Sequence, residues 1–295
     1  MALYATALRI EAMSLFQVII LAIIQGLAEL LPISSSAHVV VAEKLMGLDP
    51  SSPAMTLLLV MLHTGTMFAV IVYFWKQWRA AFFSDSEAFK RFAWQAIIAT
   101  IPTLVIGWIL MKIIEHTLFR GAPKAQIEDL FSHLEIVAPA LLAAGILILA
   151  AGLREGRRPD SAESDRIGFG QAAVIGAVQG LCLPFRGFSR SGATISVGIL
   201  QGIKKVRVES FSFALAVIIT PLAIGREVWR LRHADHSGFA HAAFPSLLGA
   251  FFAFLAGLLA LKWLSSWLER GRWYYFGIYC IAASVVVFVL HQHGY

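Results

Sequence analysis

Long apolar runs alternate with short charged loops along most of the chain. Six of these runs are long enough for helices that cross a bilayer, which takes about 20 apolar residues. Tryptophans stand near the ends of several runs, as is typical of side chains at a membrane interface. The pattern predicts about six transmembrane helices. The six runs are Met55–Trp75, Phe92–Ile113, Leu134–Ala151, Phe211–Trp229, Phe244–Trp263 and Trp273–Leu290.

Two further apolar stretches are interrupted by polar residues, Pro and Gly. The first, Gln25–His38, reads Q-G-L-A-E-L-L-P-I-S-S-S-A-H and interrupts the apolar residues 15–31 and 37–45, with which it overlaps at both ends. The second, Gln179–Thr194, reads Q-G-L-C-L-P-F-R-G-F-S-R-S-G-A-T. A broken backbone is tolerated at membrane depth only where protein or water satisfies its polar groups. We therefore expect two re-entrant helical hairpins.

The two interrupted stretches resemble each other. Both begin with Gln-Gly-Leu, and the same offset places Ser35 on Ser189. Paired broken helices in two halves of a membrane protein indicate a site between inverted repeats. The fold class expected is an all-α polytopic membrane protein with an inverted-topology repeat. It forms a single membrane domain over 1–295, with halves at 14–133 and 134–295.

Composition and charge agree with a membrane protein. Hydrophobic residues make up 58% of the chain and charged residues 14%, which leaves too little polar surface for a soluble globule. The two cysteines imply no disulfide framework. The net charge of +6 is expected to reflect topology rather than nucleic-acid binding.

The distribution of cations predicts the orientation. Apart from Arg186 and Arg190, fourteen of the 24 Lys and Arg residues fall in loops on one predicted face and eight on the other. The richer face is expected in the cytoplasm. In that topology both termini lie outside, the first hairpin enters from outside and the second from the cytoplasm.

Glu29 is the most informative residue of the first stretch. A carboxylate at mid-bilayer costs at least about 2.5 kcal/mol, so it should face a partner or a cavity. Gln25 lies one turn earlier on the same helical face. The alternative is an interhelical hydrogen-bond pair that only holds the fold together.

The Ser-rich turn after Pro32 can form an anion site. Ser34, Ser35 and Ser36 supply hydroxyls, and a helix expected from Ala37 presents backbone N–H groups suited to phosphate. His38 can transfer protons or bind a metal near neutral pH. The alternatives are helix caps for the serines and packing for the histidine.

The second stretch supplies cations. Arg190 and Arg186 lie in an apolar context, and a guanidinium binds two phosphate oxygens at once. The alternative is that both side chains extend to an interface. Carboxylate and imidazole on one side and guanidinium on the other suit phosphoryl transfer. Ser189, Ser191 and Thr194 add further donors on the second side.

At these residues the sequence resembles the bacterial undecaprenyl-diphosphate phosphatases, also called bacitracin-resistance proteins. Gln25 and Glu29 match the family's E/Q-x-x-x-E motif, and the turn ending at His38 matches its Ser-rich motif. Gly187–Thr194 matches most of its P-G-x-S-R-S-x-x-T motif, and the likeness extends to F-S-F-A-L-A-V at Phe211–Val217.

The resemblance implies dephosphorylation of undecaprenyl diphosphate, which recycles the lipid carrier for peptidoglycan synthesis. It also implies dependence on a divalent cation, Mg²⁺ or Ca²⁺, and a bacterial inner-membrane site that opens to the periplasmic side. Glu29 would bind the metal or polarise water, Ser35 would be the candidate nucleophile, His38 would transfer protons, and Arg190 would hold the diphosphate. Ser189 and Thr194 would lie beside the diphosphate. By residue type and position in the two interrupted stretches, Gln25, Ser34, Ser36, Arg186 and Ser191 are further candidate substrate contacts.

Several questions stay open from the sequence. A phosphoserine intermediate and direct attack by water are both compatible with these residues, and a homodimer is allowed but not indicated. Arg186 replaces the family's Pro, and Cys280 stands where many members carry Arg. A lipid-phosphate flippase or transporter could use the same anion site. Acid-phosphatase-type lipid phosphatases do not fit, because no His-x-x-x-Asp follows Arg190.

Overall fold

A computed structural model describes residues 13–49, 52–118, 134–155, 163–233 and 239–293. These residues form ten helices and no strand beyond one isolated bridge between Ser164 and Ile203. The helices are α1 Leu15–Leu30, α2 Ser35–Leu45, α3 Pro53–Ala81, α4 Ser86–Leu118, α5 Leu134–Glu155, α6 Phe169–Cys182, α7 Arg190–Leu200, α8 Lys205–His233, α9 Phe239–Glu269 and α10 Trp273–Gln292.

Five of these helices are long and apolar enough to cross a membrane. They match five of the six predicted spans, and the sixth predicted span lies within α8, a helix of 29 residues. The chain is therefore a multi-pass α-helical membrane protein. The five apolar segments are Ala54–Ala81, Ser86–Ile114, Leu134–Arg154, Ala243–Glu269 and Trp273–Gln292.

Both interrupted stretches separate two short helices. α1 ends at Leu30 just before Pro32, and α6 ends at Cys182 just before Pro184. A proline cannot donate the next helical hydrogen bond and clashes with the preceding turn, so both helices stop there. α2 begins at Ser35, two residues earlier than expected, so the serines belong to its first turn.

Glycines bring the short helices close to long ones. A Cβ on Gly26 of α1 would lie 2.5 Å from the Cβ of Ala256 in α9, and a Cβ on Gly176 of α6 would overlap the carbonyl oxygen of Ala99 in α4. Only glycine allows helices of an apolar protein to approach this closely. These contacts fix α1 against α9 and α6 against α4.

Aromatic side chains pack around the two helices that follow the second break, α7 and α8. Phe74 of α3 stacks on Phe213 of α8, with ring centroids 5.3 Å apart. The buried Trp273 of α10 donates from Nε1 to Ser196 Oγ of α7 at 2.9 Å. The first contact joins α8 to α3, the second joins α7 to α10, and the N-terminus of α7 is directed at the first break.

Candidate active site

The two breaks contact each other directly. Arg190 Nη2, at the start of α7, donates to Glu29 Oε1 near the end of α1 at 3.0 Å. The Gly187 N–H donates to Ser36 Oγ at 3.3 Å. The charged residue of each interrupted stretch therefore meets the other, which gives one site built from both.

Glu29 is the centre of this site. Its Oε2 accepts hydrogen bonds from Ser35 Oγ at 2.5 Å and from Gln25 Nε2 at 3.2 Å. The side chain is 18% exposed, so its charge is largely withdrawn from water. A carboxylate in this position needs a close cation and satisfied oxygens, and Arg190 together with the two donors provides them.

Arg190 uses only part of its guanidinium in these contacts. Nη2 binds Glu29, whereas Nη1 is buried and has no hydrogen-bond partner among the described residues. The guanidinium carbon lies 5.9 Å above the ring of Phe213. A buried donor without a partner is costly, and a phosphate oxygen would satisfy it with a charge-assisted bond.

His38 points away from the Ser35–Glu29 pair. Its Nδ1 lies 2.7 Å from the Ser34 carbonyl oxygen, and its Nε2 lies 2.7 Å from the hydroxyl of Tyr279 in α10. Ser34 has a φ of +69°, a strained conformation for a residue with a side chain. The strained turn directs the Ser34 carbonyl back at the imidazole.

The remaining hydroxyls of the second break bind the protein itself. Ser189 Oγ accepts from Gly192 N at 3.2 Å and caps α7. Ser191 Oγ donates to the Leu31 carbonyl oxygen at 3.4 Å, and Thr194 Oγ1 lies 2.6 Å from Ser212 Oγ. All three residues are buried, so in this structure they support the helix that carries the arginine.

The two departures from the family pattern both lie beside the breaks. Arg186 is partly buried and close enough to the buried carboxylate of Glu43 in α2 for electrostatic attraction. The Cys280 thiol donates to the Pro32 carbonyl oxygen at 3.3 Å. Arg186 therefore faces a buried carboxyl group of α2, and Cys280 satisfies a carbonyl that the first break leaves without a helical partner.

Two residues of the site, His63 and Tyr279, were not identified from the sequence. His63 of α3 places Nε2 at 3.8 Å from Glu29 Oε2, and Tyr279 of α10 contacts His38. The polar H-T-G-T run that interrupts the apolar α3 could have indicated His63. Tyr279 carries no comparable signal, because a tyrosine in a transmembrane helix is ordinary.

Oxygen donors dominate the centre of the site. Mg²⁺ is bound by one or two carboxylates together with substrate phosphates, and Ca²⁺ also takes carboxylate and amide oxygens. The described residues contain no cluster of three or more His, Cys, Asp or Glu side chains that could hold an ion alone. Glu29 with the amide oxygen of Gln25 fits an ion that arrives with a phosphate.

The arrangement places groups able to transfer protons and a group able to bind an anion at different positions. The short Ser35–Glu29 hydrogen bond joins a hydroxyl to a carboxylate, a geometry in which a carboxylate can activate a serine. Arg190 supplies a fixed positive charge at which a phosphoryl group can be held. His38, on the first turn of α2, is a second group that can exchange protons.

Comparison with known proteins gives the family. The model of the bacitracin resistance protein BacA family matches residues 18–286. Undecaprenyl-diphosphatase 2 of Acinetobacter baylyi is 57% identical over 287 residues, which cover 95% of this chain and 99% of that protein. Undecaprenyl-diphosphatases of Rhodopirellula baltica and Desulforudis audaxviator are 32% and 34% identical, and each match covers 94% of this chain and 98% of the relative. The chain belongs to the bacitracin resistance protein BacA family.

Proposed function

We propose that the protein removes the terminal phosphate of undecaprenyl diphosphate and leaves the lipid monophosphate. The observation that carries this proposal is the contact between the two breaks, where Glu29 bonds both Arg190 and Ser35. A nucleophile, a base and a phosphate-binding cation then stand together in an apolar protein. The names of the relatives favour hydrolysis over transport of the same lipid.

We propose Ser35 as the nucleophile of the first step. Its Oγ forms a bond to the terminal phosphorus, the bond from that phosphorus to the bridging oxygen breaks, and the Ser35 proton passes to Glu29. Undecaprenyl phosphate leaves with the bridging oxygen. Water then attacks the phosphoserine, Glu29 returns the proton to Oγ, and the proton of the water passes to His38. Nη1 of Arg190 holds the transferred phosphoryl group in both steps.

The alternative is direct attack by water that Glu29 activates. The two routes differ in whether phosphate is ever attached to Ser35. The substrate carries a label in its terminal phosphate, and the reaction is stopped with acid. We expect the wild-type protein to keep the label and Ser35→Ala to carry none. If the wild-type protein carries no label while phosphate is released, water attacks directly.

We propose that a divalent cation, Mg²⁺ or Ca²⁺, enters with the substrate. Glu29 and the amide oxygen of Gln25 would hold it, and it would supply neutralising charge to the diphosphate. Chelation should abolish phosphate release, and added Mg²⁺ or Ca²⁺ should restore it. Turnover that resists chelation would remove the metal from the proposal.

We propose an inverted repeat whose halves are α1–α5 and α6–α10. The helix lengths support it, since they run 16, 11, 29, 33 and 22 residues in the first half and 14, 11, 29, 31 and 20 in the second. Gly26 packs on the fourth helix of the second half, and Gly180, its counterpart after the shared Gln, packs on the fourth helix of the first. These lengths favour a division after α5 rather than the expected one at 133. The breaks in each half would be re-entrant hairpins.

We propose that the site opens to the periplasmic side of the inner membrane. Segments expected at the cytoplasmic face support this orientation, because Gln77 near the end of α3, Asp165 before α6 and Lys204 before α8 line one shared cavity of about 660 Å³. Asp165 accepts two hydrogen bonds from Arg207 at 3.2 Å. Cysteine labelling of Lys204→Cys and Gly47→Cys from outside intact cells should modify only the second. Labelling of position 204 would reverse the topology.

The decisive experiment for the function is phosphate release by purified protein. With undecaprenyl diphosphate and Mg²⁺ or Ca²⁺ we expect inorganic phosphate and lipid monophosphate in equal amounts. Glu29→Ala, His38→Ala and Arg190→Ala should each lose most of this activity while the protein still inserts. Tight binding of lipid monophosphate without release of phosphate would contradict the enzyme and favour transport.

A further inference from the structure

The hydroxyl of Tyr279 makes a contact that the phosphatase chemistry above does not use. It lies 2.7 Å from Nε2 of His38, across 241 residues of sequence. The two rings are stacked, with centroids 5.7 Å apart and planes inclined by 11°. Tyr279 is 45% exposed, so its ring lies at the surface of the protein beside the partly buried imidazole.

The other ring nitrogen of His38, Nδ1, is hydrogen-bonded to a backbone carbonyl oxygen. Nδ1 lies 2.7 Å from the Ser34 carbonyl oxygen, which can only accept a hydrogen bond. Nδ1 therefore carries a hydrogen, and in the neutral imidazole the lone pair is on Nε2. Tyr279 then donates its hydroxyl hydrogen to Nε2.

These two contacts restrict how His38 can exchange a proton. Both of its nitrogens are occupied, and a backbone carbonyl cannot pass a proton on. A hydroxyl can, because it donates one hydrogen and accepts another. Of the two hydrogen-bond partners of His38, only the hydroxyl of Tyr279 can therefore pass a proton between the imidazole and another group.

The backbone around Tyr279 is held in place. The next residue, Cys280, donates to the Pro32 carbonyl oxygen in the first break. Gly277 brings α10 against α5, where a Cβ at this position would lie 2.6 Å from the backbone nitrogen of Leu149. α10 is thus fixed on both sides of Tyr279, which gives the hydroxyl the rigid support that proton transfer requires.

We propose that Tyr279 is the proton relay and positioning residue of His38. When water attacks, the Tyr279 oxygen accepts the departing proton and the Tyr279 hydroxyl hydrogen moves to Nε2, so the tyrosine is neutral before and after the step. Its second effect is to hold the imidazole plane by stacking. The inference rests on the proton-transfer role proposed for His38, and its test separates the two.

Tyr279→Phe tests the relay, because it keeps the stacked ring and removes only the hydroxyl. We expect kcat to fall by about tenfold to a hundredfold and KM to stay within about twofold, since acid–base assistance acts in the transition state. Tyr275→Phe is the matched control. Tyr275 is also 45% exposed and lies one turn earlier on α10, where it packs on Trp267 instead of His38. It should keep the wild-type kcat.

A double-mutant cycle distinguishes a relay from a structural role. If Tyr279 acts only through His38, adding Tyr279→Phe to His38→Gln should cause no further loss of residual activity. A further loss equal to that in the wild-type background would overturn the relay. Wild-type kcat in Tyr279→Phe, with His38→Gln inactive, would also overturn it and leave the role of His38 intact. Wild-type kcat in His38→Gln would instead refute the proposed function of that residue.

A spectroscopic measurement is independent of turnover. In ¹⁵N-histidine-labelled protein, the His38 signals can be assigned by their absence in His38→Gln. Tyr279→Phe should shift the Nε2 resonance of His38 and leave the protonated Nδ1 resonance in place, because Ser34 still accepts from Nδ1. An unchanged Nε2 resonance would show that the hydroxyl does not bind His38.

Discussion

Replacing Arg190 by Lys tests whether the site depends on two guanidinium nitrogens that act on different partners. Nη2 binds Glu29 at 3.0 Å, and Nη1 is buried without a partner in the part of the chain that the structure describes. Arg190→Lys keeps the positive charge and removes the rigid fork. A single ammonium cannot hold both the carboxylate and a phosphate oxygen in the same geometry.

The expected magnitude follows from one charge-assisted hydrogen bond. Such a bond contributes about 1.5–3 kcal/mol, and each 1.36 kcal/mol corresponds to about a factor of ten in rate. Arg190→Lys should therefore lower kcat/KM by about tenfold to 150-fold. Because the ion pair with Glu29 can persist, insertion and thermal stability should change much less than in Arg190→Ala.

The assay is release of inorganic phosphate from a polyprenyl diphosphate in detergent, with thermal unfolding of each variant measured alongside. Arg207→Lys is the matched control, because Arg207 also binds a carboxylate with two nitrogens, at 3.2 Å each, but at the cavity far from the breaks. It should keep wild-type kcat/KM. If Arg190→Lys remains within about twofold of wild type, only charge matters at this position and the fork geometry is irrelevant.

Three further predictions concern other parts of the structure. Glu29→Gln should lower kcat by at least about a hundredfold, because the base is lost. The rate of phosphate release measures this change in kcat. Gly176→Ala should destabilise the protein by about 1–3 kcal/mol in thermal unfolding, since its Cβ would overlap the backbone of α4. Gly170→Ala on the same helix has open space around the added Cβ and should not destabilise the protein. Hydrogen bonds from Arg207 hold the pKa of Asp165 below its ordinary 3.8, so this carboxylate stabilises the fold above that pH and the contribution is lost as pH falls through the lowered pKa. Asp165→Asn should therefore lower the melting temperature at neutral pH and have less effect at about pH 3; equal effects would contradict the ion pair.

The pairing of the two breaks could be predicted because burial restricts where a charge can go. Glu29 and Arg190 each interrupt an apolar run, and a charge in such a place must find a partner or a cavity. Pro32 and the serines after it then predict where the first helix stops. These are local conflicts between polarity and surroundings, and they are visible in one sequence without any knowledge of the tertiary structure.

The contributions of α3 and α10 could not be predicted in the same way. His63 and Tyr279 reach the site only because the helices that carry them pack beside the first break. That packing depends on close approaches such as Gly65 of α3 against α9 and Gly277 of α10 against α5, which involve residues far apart in the chain. Tyrosine is also common in membrane helices, so its identity alone carries little information. The substrate roles expected for Ser189, Ser191 and Thr194 remain predictions, and their hydroxyls bind the protein in this structure.

The ion pair at the centre explains why the site exists before a substrate arrives. Glu29 comes from one interrupted helix and Arg190 starts another, so neither stretch can neutralise its own charge. Removing one partner of a fully buried pair costs about 3–5 kcal/mol. Glu29 and Arg190 are 18% and 21% exposed, so the cost here is smaller, and it opposes any separation of the two breaks. The guanidinium is thus held in place by Glu29 through one nitrogen while the other stays available to an anion. A phosphate that binds there meets an already oriented cation, and its charge interacts strongly because the two side chains are partly buried in an apolar protein.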